Sequence, residues 1–141
     1  MRKGARLFLL GVLAMATALA QASGPRTQRG KLEQVQSTYA GSIRWGEFEQ
    51  AWQLVDPAYR QAHPLSSVEL ERYRQLQISG YRELGSSRLE DGSVVRSIEI
   101  GAINRHTQVE RTLRYNEHWR WDPEAKRWWL QGGLPDFWAG E

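Results

Sequence analysis

The chain has 141 residues, no cysteine and a formal net charge of +3. All three surplus positive charges lie in the first 22 residues, so the rest of the chain is electrically balanced. A balanced chain argues against nucleic-acid binding, because nucleic-acid-binding proteins concentrate basic residues on one face. With three histidines and no cysteine, we also expect no metal site and no cofactor.

The first 22 residues have the three parts of a secretory signal peptide. Arg2, Lys3 and Arg6 form a basic start, residues 7 to 20 carry no charge, and the last three residues read Ala-Gln-Ala, a small-x-small cleavage site. A helix over the uncharged stretch would span about 21 Å, less than the roughly 30 Å hydrocarbon core of a bilayer. We therefore expect cleavage after Ala22, a periplasmic or secreted location without a stable membrane anchor, and one folded domain over residues 23 to 141.

The N-terminal half of this domain predicts helices. Leu32, Val35 and Tyr39 repeat at helical spacing, which indicates a first helix that begins near Thr27 and weakens at Gly41.

Two further helices follow. A second apolar series at helical spacing runs until Asp56-Pro57 stops it, and its members are Trp45, Phe48, Trp52 and Val55. Tryptophans at this spacing are more typical of a core than of a ligand site. Ser66 and Glu69 then form a capping box, which predicts a third, short helix ending at about Leu76.

From Ile78 onward the pattern changes to β. We expect strands near residues 77 to 89, 93 to 105, 108 to 121 and 127 to 132. Asp91-Gly92 predicts the first hairpin turn, and Pro123 fits a type I turn in the last hairpin. In the tail after the last strand, three residues are expected to pack back on the domain: Pro135, Phe137 and Trp138.

The register of the central hairpin can be predicted from the position of its turn. If the turn centres on residues 106 and 107, the inner faces of both strands coincide, pairing Val94 with Trp119, Arg96 with Glu117, Ile98 with Tyr115 and Ile100 with Leu113. A four-residue loop at residues 123 to 126 likewise pairs Trp121 with Trp128 and Trp119 with Leu130. No simple register aligns the faces of the first hairpin, so we expect a bulge near Gly85 to Ser87.

Helices followed by a curved, four-stranded antiparallel meander define an α+β domain. Two passages resemble the nuclear transport factor 2-like superfamily, which includes ketosteroid-isomerase-like cone folds. They are residues 39 to 57, which open with YAGSIRWGEFEQA, and the tryptophan-rich end with Trp128-Trp129-Leu130. The resemblance implies a cystatin-like cone whose helices close over the sheet, often with a pocket inside, and often a dimer through the outer sheet face.

Two charges, Arg96 and Glu117, fall inside the apolar sheet face. In one interpretation they belong to a small-ligand site with Tyr115 and Trp119, where Arg96 anchors an anionic group. In the other they form a buried ion pair that fixes the register and contributes little net stability. Our hypothesis is an exported, non-catalytic binding domain.

An acid-base enzyme is the alternative. Enzymes resembling this superfamily place an aspartate inside the cone, whereas the aspartates that follow the predicted signal peptide all fall at turns or helix ends: Asp56, Asp91, Asp122 and Asp136. Glu117 is the acidic residue on the inner face, with Tyr115 as a conceivable proton donor. An isomerase or dehydratase would have to use these two residues.

The outer sheet face offers a protein-binding surface. Arg120 would lie opposite Trp129, a geometry suited to cation-π stacking, with Arg114 and His118 beside them. Interfaces favour arginine and aromatic residues, so this face predicts a homodimer or a partner protein. A solvated sheet face is the simpler interpretation.

Overall fold

The computed structural model describes residues 25 to 139, so the predicted signal peptide lies outside the described residues. The described chain is α+β, as predicted, with helices first and strands second. The helices are α1 (Pro25–Arg44), α2 (Phe48–Trp52), α3 (Pro57–Ala62) and α4 (Ser67–Arg74), and the strands are β1 (Leu76–Arg88), β2 (Val94–Asn104), β3 (Glu110–Asp122) and β4 (Arg127–Gln131).

The helices differ from the prediction at two places. α1 continues past Gly41 to Arg44, and α3 was not predicted, because its six residues show no apolar periodicity. The side chain of Asp56 caps α3 by accepting a hydrogen bond from the amide of Ala58 at 2.9 Å, and Pro57 occupies the first turn. The predicted capping box of α4 is confirmed.

The prediction that Trp45 is part of the core is wrong. Trp45 was placed in the core stripe of the second helix, yet its side chain is 79% exposed. The reason is local, because Gly46 adopts a positive φ of 74° and ends α1, with its amide bonded to the carbonyl of Ile43. The stripe of α2 therefore begins only at Phe48, which is buried.

The four strands form one antiparallel sheet in the order β1-β2-β3-β4. The predicted register is confirmed for the β2–β3 and β3–β4 hairpins, as the pairs Val94 with Trp119 and Trp121 with Trp128 illustrate. The register between β1 and β2 shifts twice. One shift lies between Glu83 and Gly85, next to the predicted bulge, and the other, near Ser79, was not predicted.

The core lies between the inner sheet face and α1. α1 contacts both β1 and β4, the two edge strands, so it crosses the sheet. The indole of Trp128 donates a 2.8 Å hydrogen bond to the carbonyl of Gln28, which ties α1 to β4. The tail packs back as predicted, with Pro135 and Phe137 buried. Among the described residues, no helix is both long and apolar enough to cross a membrane.

Candidate functional site

A buried carboxylate, that of Glu117, lies at the centre of the inner sheet face. Its side chain is fully shielded from solvent and accepts four hydrogen bonds. Arg96 donates two of them, from Nε to Oε2 at 2.8 Å and from Nη2 to Oε1 at 2.9 Å. The indole of Trp119 donates to Oε2 at 2.8 Å, and the hydroxyl of Tyr81 donates to Oε1. β1, β2 and β3 each therefore contribute to one closed network.

Two further tyrosines form a hydrogen-bonded pair beside this network and connect to the tail. The hydroxyl of Tyr115 donates to the carbonyl of Gly133 at 3.0 Å and lies 3.1 Å from the hydroxyl of Tyr39. Since Tyr115 uses its proton on Gly133, Tyr39 is the donor between the two tyrosines. The Tyr39 ring also packs edge-on against Trp119, with ring centroids 5.6 Å apart. The tail is thus hydrogen-bonded to the sheet through Tyr115.

The electrostatics of the network hold its tyrosines protonated. Burial, followed by the charge of Glu117, raises the pKa of Tyr81 well above its usual value, and burial raises those of Tyr39 and Tyr115. Burial alone would lower the pKa of Arg96, but its hydrogen bonds to Glu117, together with the charge of Glu117, outweigh that effect and raise the pKa. Arg96 therefore stays charged, and the tyrosines stay hydrogen-bond donors.

Three of the four predicted ligand-binding residues, Arg96, Glu117 and Trp119, bond to one another, and Tyr115 is linked to them through Tyr39. The two oxygens of Glu117 have about four acceptor positions, and all are filled by Arg96, Trp119 and Tyr81. Tyr115 is likewise occupied by backbone. This arrangement is that of a satisfied ion pair on the inner face, in which the Glu117 carboxylate keeps no acceptor position for a substrate.

A concave surface lies farther along the same face, where the sheet ends at the β2–β3 turn. We call it the sheet-end groove, with a volume of about 530 Å³. Its apolar lining is shared by the inner sheet face and the tail: Leu76, Ala102, Leu113, Phe137 and Trp138. Its polar lining comes from both sides of the turn: Asn104, Thr107, Arg111 and Thr112.

Sequence reasoning missed the sheet-end groove. Leu113 was assigned to the inner face, and Phe137 and Trp138 to a tail that packs back. Those two predictions name residues from both sides of the groove. They do not say where the tail crosses the sheet, because that position depends on the hydrogen bond from Tyr115 to Gly133. A periodic sequence pattern does not predict that hydrogen bond.

The four predicted interface residues have different surroundings. Arg120 does lie opposite Trp129, as predicted, but its guanidinium bonds to Asp56 at 2.6 Å. The cation stacked on Trp129 is instead Arg127, 3.7 Å from the ring centroid, so the prediction named the wrong arginine. His118 lies 3.1 Å from the hydroxyl of Ser93, and Arg114 is exposed.

No group of three or more His, Cys, Asp or Glu side chains within residues 25 to 139 is placed to hold a metal ion. Comparison of the chain with protein family models, with curated proteins and with solved structures returned no match.

Proposed function

We propose that the chain is an exported, non-catalytic binding domain with a nuclear transport factor 2-like cone fold, which takes a small ligand in the sheet-end groove. The order of elements supports the fold, because helices precede a four-stranded antiparallel meander and α1 crosses its inner face. The proposed export rests on the basic, uncharged and small-residue segments of residues 1 to 22.

The groove carries the binding proposal. Small-molecule sites in proteins are concave, mostly apolar pockets of about 300 to 1,000 Å³ with a few polar groups at fixed positions. The sheet-end groove has about 530 Å³, with Leu113 and Phe137 on its apolar side and Asn104 among its polar residues. Its lining is polar and apolar in about equal parts, so these features favour a ligand with one apolar part and one polar end.

The geometry supports binding better than acid-base catalysis. A general base must reach the proton that it abstracts, directly or through one water. Glu117 is fully buried and saturated with donors, and Tyr115 donates to backbone. The pair that an isomerase or dehydratase would use is therefore turned away from the groove, toward its own network.

A contact through the outer sheet face is supported less well. Three of the four proposed interface residues, His118, Arg120 and Trp129, already have partners within the chain. A homodimer through this face would have to use Arg114 and the exposed polar residues around it.

Binding of anilinonaphthalene sulfonate, a fluorescent probe with an apolar ring system and one charged end, tests the groove. Leu113→Glu places a charge among the apolar lining and should weaken probe binding by tenfold or more, about 1.4 kcal/mol. Asn116→Glu adds the same charge on the exposed face of the same strand and is the matched control. Circular dichroism and thermal melting are used to check that both variants are folded.

The proposed site is rejected if the folded parent protein does not enhance the fluorescence of the probe. It is also rejected if Leu113→Glu and Asn116→Glu bind the probe equally well.

A further inference from the structure

A second concave surface lies on the other side of the tail, between α3, α4 and residues 133 to 138. We call it the aromatic cleft; its volume is about 380 Å³. Five aromatic rings line it, and the ring of His63 stacks on that of Tyr59 with centroids 4.3 Å apart; the other three belong to Trp52, Tyr73 and Trp138. Trp138 lines both this cleft and the sheet-end groove, whereas Trp52 and Tyr59 line the cleft and not the groove.

The rings are held by one another. Trp52 meets Tyr59 in an edge geometry with centroids 6.2 Å apart, and Trp138 meets Tyr73 in the same way at 4.9 Å. The faces of aromatic rings carry negative potential, and several rings around one space attract cations whose charge is spread over alkyl groups. Fixed rings lose little conformational freedom when such a cation binds.

Two carboxylates line the same cleft, and both are fixed by hydrogen bonds. Glu69 accepts from the amide of Ser66 at 2.9 Å in the capping box, and Asp136 accepts from the amide of Trp138 at 2.9 Å. Both carboxylates act electrostatically on the ring of Tyr73 in the cleft, since their charges add to the effect of burial in raising the pKa of Tyr73. The carboxylates therefore reinforce the negative potential of the rings.

A cation of the chain itself already uses one of these rings. The guanidinium of Arg72 lies 4.3 Å from the centroid of the Trp138 ring. Counting histidine as neutral, the cleft lining holds two negative charges and this one positive charge. Arg72 shows that the cleft accommodates a soft, delocalised cation, and its own charge opposes the binding of a second one.

We propose that the aromatic cleft binds a small organic cation with an alkylated ammonium group, and that Arg72 is a built-in competitor of this ligand. The rings Trp52 and Trp138 contact the alkyl groups, while Asp136 balances the charge. A neutral molecule of the same shape gains the apolar contacts but not the electrostatic attraction.

Calorimetric titration with choline, and with its uncharged carbon isostere 3,3-dimethylbutan-1-ol, tests this proposal at a pH of about 8, above the ordinary pKa range of a free imidazole. Choline should bind at least about tenfold more tightly than the isostere. Asp136→Asn, which keeps an oxygen for the Trp138 amide, should weaken choline binding about fivefold, and Trp52→Leu should weaken it further. Arg72→Gln should strengthen it about threefold, because a competing charge is removed.

The opposite signs expected for Asp136→Asn and Arg72→Gln separate electrostatics from damage to the fold, since damage weakens binding in both variants. The proposal is overturned if choline does not bind at concentrations up to about 10 mM, far above useful affinities. Equal binding of choline and its isostere, or weaker binding by Arg72→Gln, would overturn it as well.

Discussion

Replacing Glu117 by glutamine tests the buried network most severely. Nε of Arg96 and the indole of Trp119 both donate to Oε2, and neither can accept, so the new amide nitrogen cannot occupy that position. It must take the position of Oε1, where the hydroxyl of Tyr81 can rotate to accept but Nη2 of Arg96 cannot. The variant therefore loses one hydrogen bond, creates a contact between two donors, and leaves the charge of Arg96 without a counterion.

The expected cost is large. Removing one partner of a buried ion pair costs about 3 to 5 kcal/mol. The side chain of Arg96 is 11% exposed, so water compensates part of this loss and we expect about 3 kcal/mol. For a domain of this size that corresponds to a fall of roughly 10 °C in melting temperature.

Urea unfolding followed by circular dichroism measures the effect. Glu99→Gln is the matched control, because Glu99 pairs with Arg82 at 2.8 Å with 69% of the Arg82 side chain exposed, and such an exposed pair contributes little to stability. In a double-mutant cycle with Arg96→Met, the combined variant should be about 2 kcal/mol more stable than the sum of the single effects. A cost for Glu117→Gln no larger than that of Glu99→Gln would refute the reasoning.

Three other predictions concern the free energy of unfolding. Asp56→Ala removes both the cap of α3 and the partner of Arg120, so it should cost about 1 to 2 kcal/mol in urea unfolding, whereas Arg120→Ala should cost less than about 1 kcal/mol; equal costs would contradict this. Gln36→Leu removes a buried amide nitrogen that has no hydrogen-bond partner among residues 25 to 139, so it should raise stability by about 1 kcal/mol, and a clear loss of stability would contradict this. The pKa values of Tyr39 and Tyr81 are raised in the folded state. The stability that these raised pKa values contribute is complete below a pH of about 10 and falls as the pH rises further, since the unfolded chain releases protons that the folded chain keeps. Tyr81→Phe should reduce the slope of stability against pH above this value, and an unchanged slope would contradict the prediction.

The sheet register was predictable because two local features determine it. A period of two assigns each side chain to a face, and the position of a turn selects which residues pair, so Arg96 was correctly placed opposite Glu117. The bulges of β1 were harder to locate, because a bulge such as that at Ser79 depends on how the edge strand packs and not on the alternation of apolar and polar residues. α3 was missed because its cap at Asp56 was interpreted only as a stop to the preceding helix.

The candidate sites were predictable only in part. Sequence reasoning identified the inner-face polar residues, but it could not decide between a ligand site and an ion pair, because the hydrogen bond from Tyr81 joins positions 36 residues apart. Neither concave surface was predicted, since both depend on the path of the tail over the sheet. Arg120 was assigned to Trp129 because a strand register shows partners within the sheet and not Asp56, which lies outside it.

Native mass spectrometry of the protein purified from the envelope fraction of its own host tests the central proposal most directly. We expect a mass equal to residues 23 to 141 plus a small molecule bound in the sheet-end groove, and the loss of that molecule in Leu113→Glu but not in Asn116→Glu. A bare mass for the parent protein, or an extra mass that Leu113→Glu retains, would contradict binding in the sheet-end groove. A mass equal to the whole chain would contradict the proposed export.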